Sequence, residues 1–263
     1  MFKDKEPEWR IDKAKQITKR LVDHAVDILW ISETNAVTIY SNALAKQIPR
    51  SYAAHAFNVF RRAMHQIEIV RLCALWDKAK TNLQRETIPT VIELIDHPNV
   101  LERLCEAVRA QYPPVTEDGD LANESDHEVI NFFRAKHANE RAEQANSELK
   151  TAIKNARDVF SSDRLKAIRV LRDFHVAHNL AQEAKAKVGT VQPMEYGDEK
   201  TVLNETLSII KTLYCWVNGI GFSFEGSRTI DRKCVEDLWT QLRVHDHARA
   251  ITARCRAVSH HCR

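Results

Sequence analysis

Glycine is scarce in this sequence of 263 residues: it occurs 6 times, first at Gly119. The seven prolines are thinly spread, and most of the chain runs in long tracts without either residue. Because glycine and proline are costly in a helix interior, such tracts favour helices. Clusters of Val, Ile, Thr and aromatic residues, which are typical of strands, are few. The sequence therefore predicts an all-α fold.

Several motifs that identify enzyme classes are also absent. The sequence contains no Walker loop, GxGxxG, HExxH or GxSxG, which disfavours nucleotide hydrolases, dinucleotide enzymes, zinc proteases and serine hydrolases. No stretch reaches the roughly 18 apolar residues of a membrane span. The highly charged start, MFKDKEPEWR, does not resemble a secretory signal. We therefore expect a cytoplasmic protein with reduced thiols and no membrane partner.

The six cysteines form no CxxC pair. Cys73, Cys105 and Cys215 lie within apolar helical patterns, so we expect buried thiols there. Cys255 and Cys262 lie near several histidines in the last residues, but their spacing matches no compact zinc motif. The sequence therefore predicts no metal site and no cofactor.

The charge is uneven along the chain. The formal net charge is +3, yet residues 227–263 carry eight Lys or Arg against four Asp or Glu. A basic tail of this kind can contact phosphates, and it can equally be a solvated end. We predict two regions: an all-helical domain at 1–226 and a basic, Cys- and His-containing tail at 227–263 that is partly disordered.

Apolar spacing and capping residues predict a series of helices. A first helix begins near Pro7 and passes Trp30, and a shorter one follows at 36–48. The later helices are expected from Ser51 to Lys78, on each side of His97-Pro98, at 127–157, along the segment after Ser162, at 199–218 and at 231–243; loops are expected at 112–126 and 189–197. Short connections between long helices predict an antiparallel bundle with extra N-terminal helices.

One segment carries residues suited to phosphodiester chemistry. It reads Arg172-Asp173-Phe174-His175-Val176-Ala177-His178-Asn179, an R-x5-H pattern with a polar residue after the arginine. This pattern resembles the signature of HEPN domains. Together with the stretches RLCALWDKAK (71–80) and ETIPTVIELIDHPNVLERL (86–104), it resembles the abortive-infection protein U branch of that superfamily. The resemblance covers about residues 10–220.

The resemblance implies an endoribonuclease that works without a metal and leaves 2′,3′-cyclic phosphate ends, in abortive infection, antiphage defence or as a toxin. The expected partner is RNA. Arginine can grip two phosphate oxygens, and histidine titrates near neutrality. Arg172 and His178 are therefore the expected catalytic residues, and Asp173 would orient them. A surface pair is the alternative reading of these residues, since Arg and His six apart are common on helices.

Three further residues are candidates for substrate binding: His175, Asn179 and Arg71. Each has an ordinary alternative. His175 can be exposed, and Asn179 can belong to a helix end. Arg71 and Asp77 flank LCALW, and each is expected to join an internal ion pair, because a charge against a core face usually needs a partner.

Helix geometry sets a condition on the proposed chemistry. Successive residues are about 100° apart around a helix, so Arg172 and His178 lie roughly 120° apart, whereas His175 shares the face of Arg172. One regular helix therefore cannot aim both catalytic groups at one phosphate. The resemblance implies a homodimer with a composite site; a distortion of the helix near 173–177 is the other solution. A catalytically inactive HEPN-like module that binds RNA or a protein is the alternative function.

Overall fold

The computed structural model describes residues 1–39, 48, 51–80, 83, 85–115, 124–173 and 192–241. Within these residues the chain forms eight helices and no strand, which confirms the predicted all-α fold. The helices are α1 (Pro7–Thr38), α2 (Tyr52–Leu75), α3 (Ile88–Ile95), α4 (Pro98–Arg109), α5 (Glu124–Ser161), α6 (Asp163–Leu171), α7 (Asp198–Asn218) and α8 (Glu225–Gln241).

Local sequence signals explain several helix ends. Pro7 and Pro98 are the first residues of α1 and α4, where a missing N–H costs nothing. The side chain of Ser51 accepts a hydrogen bond from the backbone N–H of Ala54 at 3.2 Å and caps α2. Gly219 ends α7 in the left-handed conformation, with φ of 69°. These four predicted boundaries are confirmed.

Other boundaries differ from the prediction. The first helix continues to Thr38, so the start of the helix expected at 36–48 belongs to α1; residues 40–47 lie outside the described part. α2 ends at Leu75 rather than Lys78, because the N–H groups of Trp76 and Asp77 bond to carbonyls three residues back and tighten the last turn. α8 begins at Glu225 rather than 231, despite the cost of Gly226.

The first compact unit comprises Met1–Val26 and Ile69–Phe224. Its core is aliphatic, and Trp76 is the largest side chain that is fully buried. The indole N–H of Trp76 donates to Thr206 Oγ1 at 2.9 Å, which satisfies a polar atom that would be costly to leave without a partner. This bond joins the end of α2 to the middle of α7.

Within this unit α4 runs antiparallel to α5. Asp96, just before α4, pairs with Arg157 near the end of α5. Tyr112, just after α4, packs its ring edge-on against His137 in the first half of α5, with 4.9 Å between centroids.

α7 also runs antiparallel to α5. Its first residue, Asp198, pairs with Arg164 just beyond α5 at 3.3 Å. Trp216, near its end, donates its indole N–H to Glu148 at 2.7 Å. The predicted antiparallel packing of neighbouring helices is therefore present in the first unit.

The second compact unit comprises Asp27–Glu68 and Glu225–Arg263. The carboxylate of Glu33 is a buried charge of this unit, and its side chain is 6% exposed. Arg228 and Arg232 hold this carboxylate at 3.3 and 2.9 Å. A buried carboxylate without such partners would be strongly destabilising.

The predicted division at residues 226 and 227 stays a prediction. Residues 242–263, which carry His245, His247, Cys255 and Cys262, lie outside the described part of the chain. None of the described helices combines the length and apolar character that a bilayer crossing requires.

Candidate active site

Arg172 lies directly after α6, the short helix that follows the long α5. Ser162 caps α6: its Oγ accepts a hydrogen bond from the N–H of Leu165 at 3.2 Å. The backbone of Arg172 is helical, with φ of −56° and ψ of −52°, and the helix widens into a π-type turn at Arg172 and Asp173. Such turns recur at functional sites. The helix is therefore distorted where the predicted motif begins.

Two carboxylates hold the Arg172 guanidinium. Its Nε donates to Asp173 Oδ1 at 2.7 Å, and its Nη1 donates to Asp77 Oδ1 at 3.3 Å. The Arg172 side chain is 22% exposed, so this cluster lies at the margin of the unit rather than in its core. The other Asp77 oxygen, Oδ2, pairs with Arg85 at 3.4 Å. Asp77 thus links two guanidinium groups.

The pKa of Arg172 reflects these partners. Burial alone would lower the pKa, but the hydrogen bond that Arg172 donates to Asp173, the charge of that carboxylate and the hydrogen bond donated to Asp77 raise it above its ordinary value. Arg172 is therefore a permanent cation in this site.

Arg169 adds a second, partly buried cation one turn earlier on α6. Its Nη2 donates to the carbonyl oxygen of Trp76 at 2.6 Å, and its guanidinium lies 4.6 Å from the centre of the Phe160 ring. Burial lowers the pKa of Arg169, and the neighbouring charge of Arg172 lowers it further. Arg169 holds α6 against the end of α2.

Cys73 is the buried neighbour of this cluster. Burial raises the pKa of its thiol to about 11, although the charges of Arg172 and Arg169 act in the opposite direction. The thiol is thus neutral near pH 7, and the expectation that Cys73 is buried is confirmed.

The structure brings together only part of the predicted site. Arg172 and Asp173 are in direct contact. His178, His175 and Asn179 lie outside the described residues, so their proposed roles remain predictions. Arg71 is exposed on α2.

Arg85 and Arg169 were not identified as site residues from the sequence. Asp77 was expected to belong to an internal ion pair, and its partners are now visible: Arg172 lies 95 positions away in the sequence. No local pattern relates residues so far apart, and only the packing of α6 on the end of α2 brings them together.

A cavity of about 560 Å³ adjoins the turn after α2. Its lining is mostly apolar and includes Pro89, Ile92 and Phe160, with Lys78 and Arg157 as cationic members. This volume lies within the range of small-molecule sites. The ring of Phe160 also contacts the guanidinium of Arg169, so one wall of the cavity adjoins the charged residues around Arg172. In the described part of the chain, no group of His, Cys, Asp and Glu side chains is arranged to hold a metal ion.

Comparison with known proteins identifies the family. No curated protein and no solved structure matches the chain. The family model HEPN_AbiU2, described as AbiU2, matches residues 11–236. The match contains Asp77, Arg85, Arg172 and Asp173, and it confirms the resemblance to the abortive-infection branch of the HEPN superfamily. The chain therefore belongs to the AbiU2 family of HEPN proteins.

Proposed function

We propose that this protein is a metal-independent endoribonuclease that acts in the cytoplasm in abortive infection, antiphage defence or as a toxin. One observation supports the proposal most directly. The arginine of the R-x5-H motif lies at a distorted helix end, is partly exposed, and is oriented by two carboxylates. Membership of a HEPN family is consistent with this role.

Each group of the motif has a defined task in the proposed reaction. RNA cleavage through the ribose 2′-OH needs a base for that hydroxyl, an acid for the leaving 5′-oxygen and positive charge on the phosphorane. Arg172 supplies the charge, and His178 supplies acid–base catalysis. Asp173, bonded to Arg172 Nε at 2.7 Å, orients the guanidinium. The products carry 2′,3′-cyclic phosphate ends.

Ion pairing does not prevent Arg172 from binding a phosphate. A guanidinium has five N–H donors, and the contacts with Asp173 and Asp77 use two of them. The remaining donors can contact phosphate oxygens through the exposed part of the side chain. His175, Asn179 and Arg71 are proposed to contact the RNA, and a homodimer is proposed to complete the site.

Cleavage of labelled RNA by the purified protein tests this proposal. The reaction is run in EDTA on transfer, ribosomal and phage RNA, and the product ends are identified. We expect cyclic phosphate products from the parent. Arg172→Ala and His178→Ala should each lower the cleavage rate by at least about 100-fold. This is the low end of the rate loss expected when a proton-transfer group is removed.

Lys166→Ala is the matched control. Lys166 also lies on α6, but it is half-exposed and pairs with Asp163. This variant should cleave at the parental rate, and circular dichroism should show the same helical content in all four proteins. Undiminished cleavage by both motif variants would exclude the proposed roles of Arg172 and His178.

A second candidate is a catalytically inactive module that binds RNA or a protein. It is favoured by the observation that two carboxylates already neutralise Arg172. This function predicts retained binding and intact RNA across all substrates tested. The end-group experiment therefore separates the two candidates.

A further inference from the structure

Asp77 uses its two oxygens on two different arginines. Oδ1 is 3.3 Å from Arg172 Nη1, and Oδ2 is 3.4 Å from Arg85 Nη1. One carboxylate thus pairs with two guanidinium groups. A phosphodiester also presents two non-bridging oxygens, so a pair of arginines arranged in this way is complementary to one RNA phosphate.

The position of Arg85 is fixed by the start of α3. Its carbonyl oxygen accepts a hydrogen bond from Thr90 Oγ1 at 2.9 Å. Thr90 is buried and shares a hydrogen bond with Thr87, the residue that caps α3. The Arg85 backbone is therefore anchored, while its side chain is 39% exposed and can reach a ligand.

The charges of the cluster leave a positive excess. Arg172, Arg169 and Arg85 contribute three cations, and Asp77 and Asp173 contribute two anions.

The ion-pair contacts of these residues also differ in length. Asp173 holds Arg172 at 2.7 Å, within the range of strong charge-assisted bonds, whereas both contacts of Asp77 are longer. A phosphate can therefore approach both arginines without separating Arg172 from Asp173.

We propose that Arg85 is a second phosphate-binding residue of this site, and that Asp77 is a positioning residue that sets the spacing of Arg85 and Arg172. RNA as the ligand rests on the proposed function. Arg85 binds the same phosphodiester as Arg172 or the adjacent one, and Asp77 acts only through the two arginines.

Salt-dependent binding tests the role of Arg85 separately from cleavage. The probe is a single-stranded RNA with 2′-O-methyl groups throughout, which cannot be cut through its 2′-oxygen. For single strands, each phosphate contact contributes about 0.7 to the slope of log K against log salt concentration. Arg85→Ala should reduce this slope by about that amount. Arg85→Gln, which keeps most of the side-chain length, should do the same.

Arg103→Ala is the matched control for the loss of one positive charge. Arg103 is exposed on α4 and pairs with Glu8 and Glu106. Its removal should leave the slope unchanged. A parental slope in both folded Arg85 variants, or no binding of the probe by the parent, would overturn the proposal for Arg85.

Asp77→Asn separates positioning from binding. The substitution removes the charge that pairs the two arginines but adds no repulsion toward RNA. We expect affinity for the 2′-O-methyl probe to stay equal or increase, while kcat for cleavable RNA falls by at least 10-fold. An unchanged kcat would refute the positioning role of Asp77. If the parent binds the probe but cuts no RNA, the proposed function fails while the slope measurement on Arg85 remains decisive.

Discussion

Cys73 lies among the charges of the candidate site, and its titration should be visible in the stability of the protein. Burial raises the pKa of this thiol from an ordinary value of 9.0 to about 11 in the folded state. The unfolded chain therefore loses the thiol proton first as the pH rises. Stability linked to Cys73 is complete below about pH 9 and is lost between pH 9 and 11, by about 2–3 kcal/mol over the whole interval.

The corresponding variant is Cys73→Ala, which removes the titrating group. Between pH 8 and pH 10.5 the free energy of unfolding should fall in both proteins, but by about 2 kcal/mol less in the variant than in the parent. Urea unfolding at the two pH values measures this difference, and a cavity cost common to both values cancels. The exposed Cys234 offers the control Cys234→Ala, which should behave like the parent. Equal pH dependence of parent and Cys73→Ala would rule out the proposed linkage.

The charged residues around Arg172 show how much of the candidate site can be predicted from the sequence. Arg172 and Asp173 could be selected because the motif places them side by side. Asp77 was recognised as a charge that needs a partner, but its partners Arg172 and Arg85 depend on how α2, α3 and α6 meet. A pairing across 95 positions is a property of the tertiary packing and has no local sequence signal.

At the scale of the element, α6 is held at both ends by different means. Ser162 caps its first turn, and Arg172 ties its last turn to Asp77. Ser162→Ala should lower the free energy of unfolding by about 1 kcal/mol, the usual loss for a serine N-cap. Chemical denaturation measures this loss. Cleavage by the folded variant should be unchanged, since the cap lies far along the helix from the guanidinium.

Ser161→Ala provides a neighbouring control. Ser161 is exposed, and its hydroxyl bonds to carbonyls of the preceding turn, at Arg157 and Asp158. Its removal should change stability by less than about 0.5 kcal/mol, as at most surface positions. If the two serine variants lose the same stability, the cap of α6 is not the cause of the effect.

Helix existence followed well from the sequence, because glycine and proline are rare and, in the described part of the chain, several of them lie at helix ends. Pro98 separates α3 from α4, and Gly219 ends α7 with a positive φ. The predictions were wrong at helix ends that depend on tertiary packing. α2 stops at Leu75 because its last turn tightens around Trp76, whose side chain is fully buried. Helix propensity alone could not predict that the helix ends where Trp76 is buried.

At the scale of the whole molecule, the proposed reaction requires Arg172 and His178 to face one phosphate. A regular helix separates them by roughly 120°. The π-type turn at Arg172 and Asp173 alters the start of the motif, and a composite site in a homodimer is the other solution. The two arrangements differ in whether the cooperating groups belong to one chain.

Mixing the two inactive variants distinguishes these arrangements. In a mixed dimer of Arg172→Ala and His178→Ala, one chain keeps His178 and the other keeps Arg172. If the reacting pair is formed across the dimer, one of the two pairs is restored, and a mixed dimer should cleave at about half of the parental rate. Since equal mixing makes only about half of the dimers mixed ones, the whole sample should recover about a quarter of the parental rate. If the pair acts within one chain, the mixture should remain as inactive as its components.

Light scattering must accompany this experiment, because complementation requires that subunits associate and exchange. A chain of 30.3 kDa should give a particle of about twice that mass. The variants are mixed in denaturant and refolded, so that exchange does not limit the result. Recovery of cleavage with a dimeric mass supports the composite site. A monomeric parent that cleaves RNA would instead assign both groups to one chain, and the distorted helix end at Arg172 would then have to supply the rotation that a regular helix lacks.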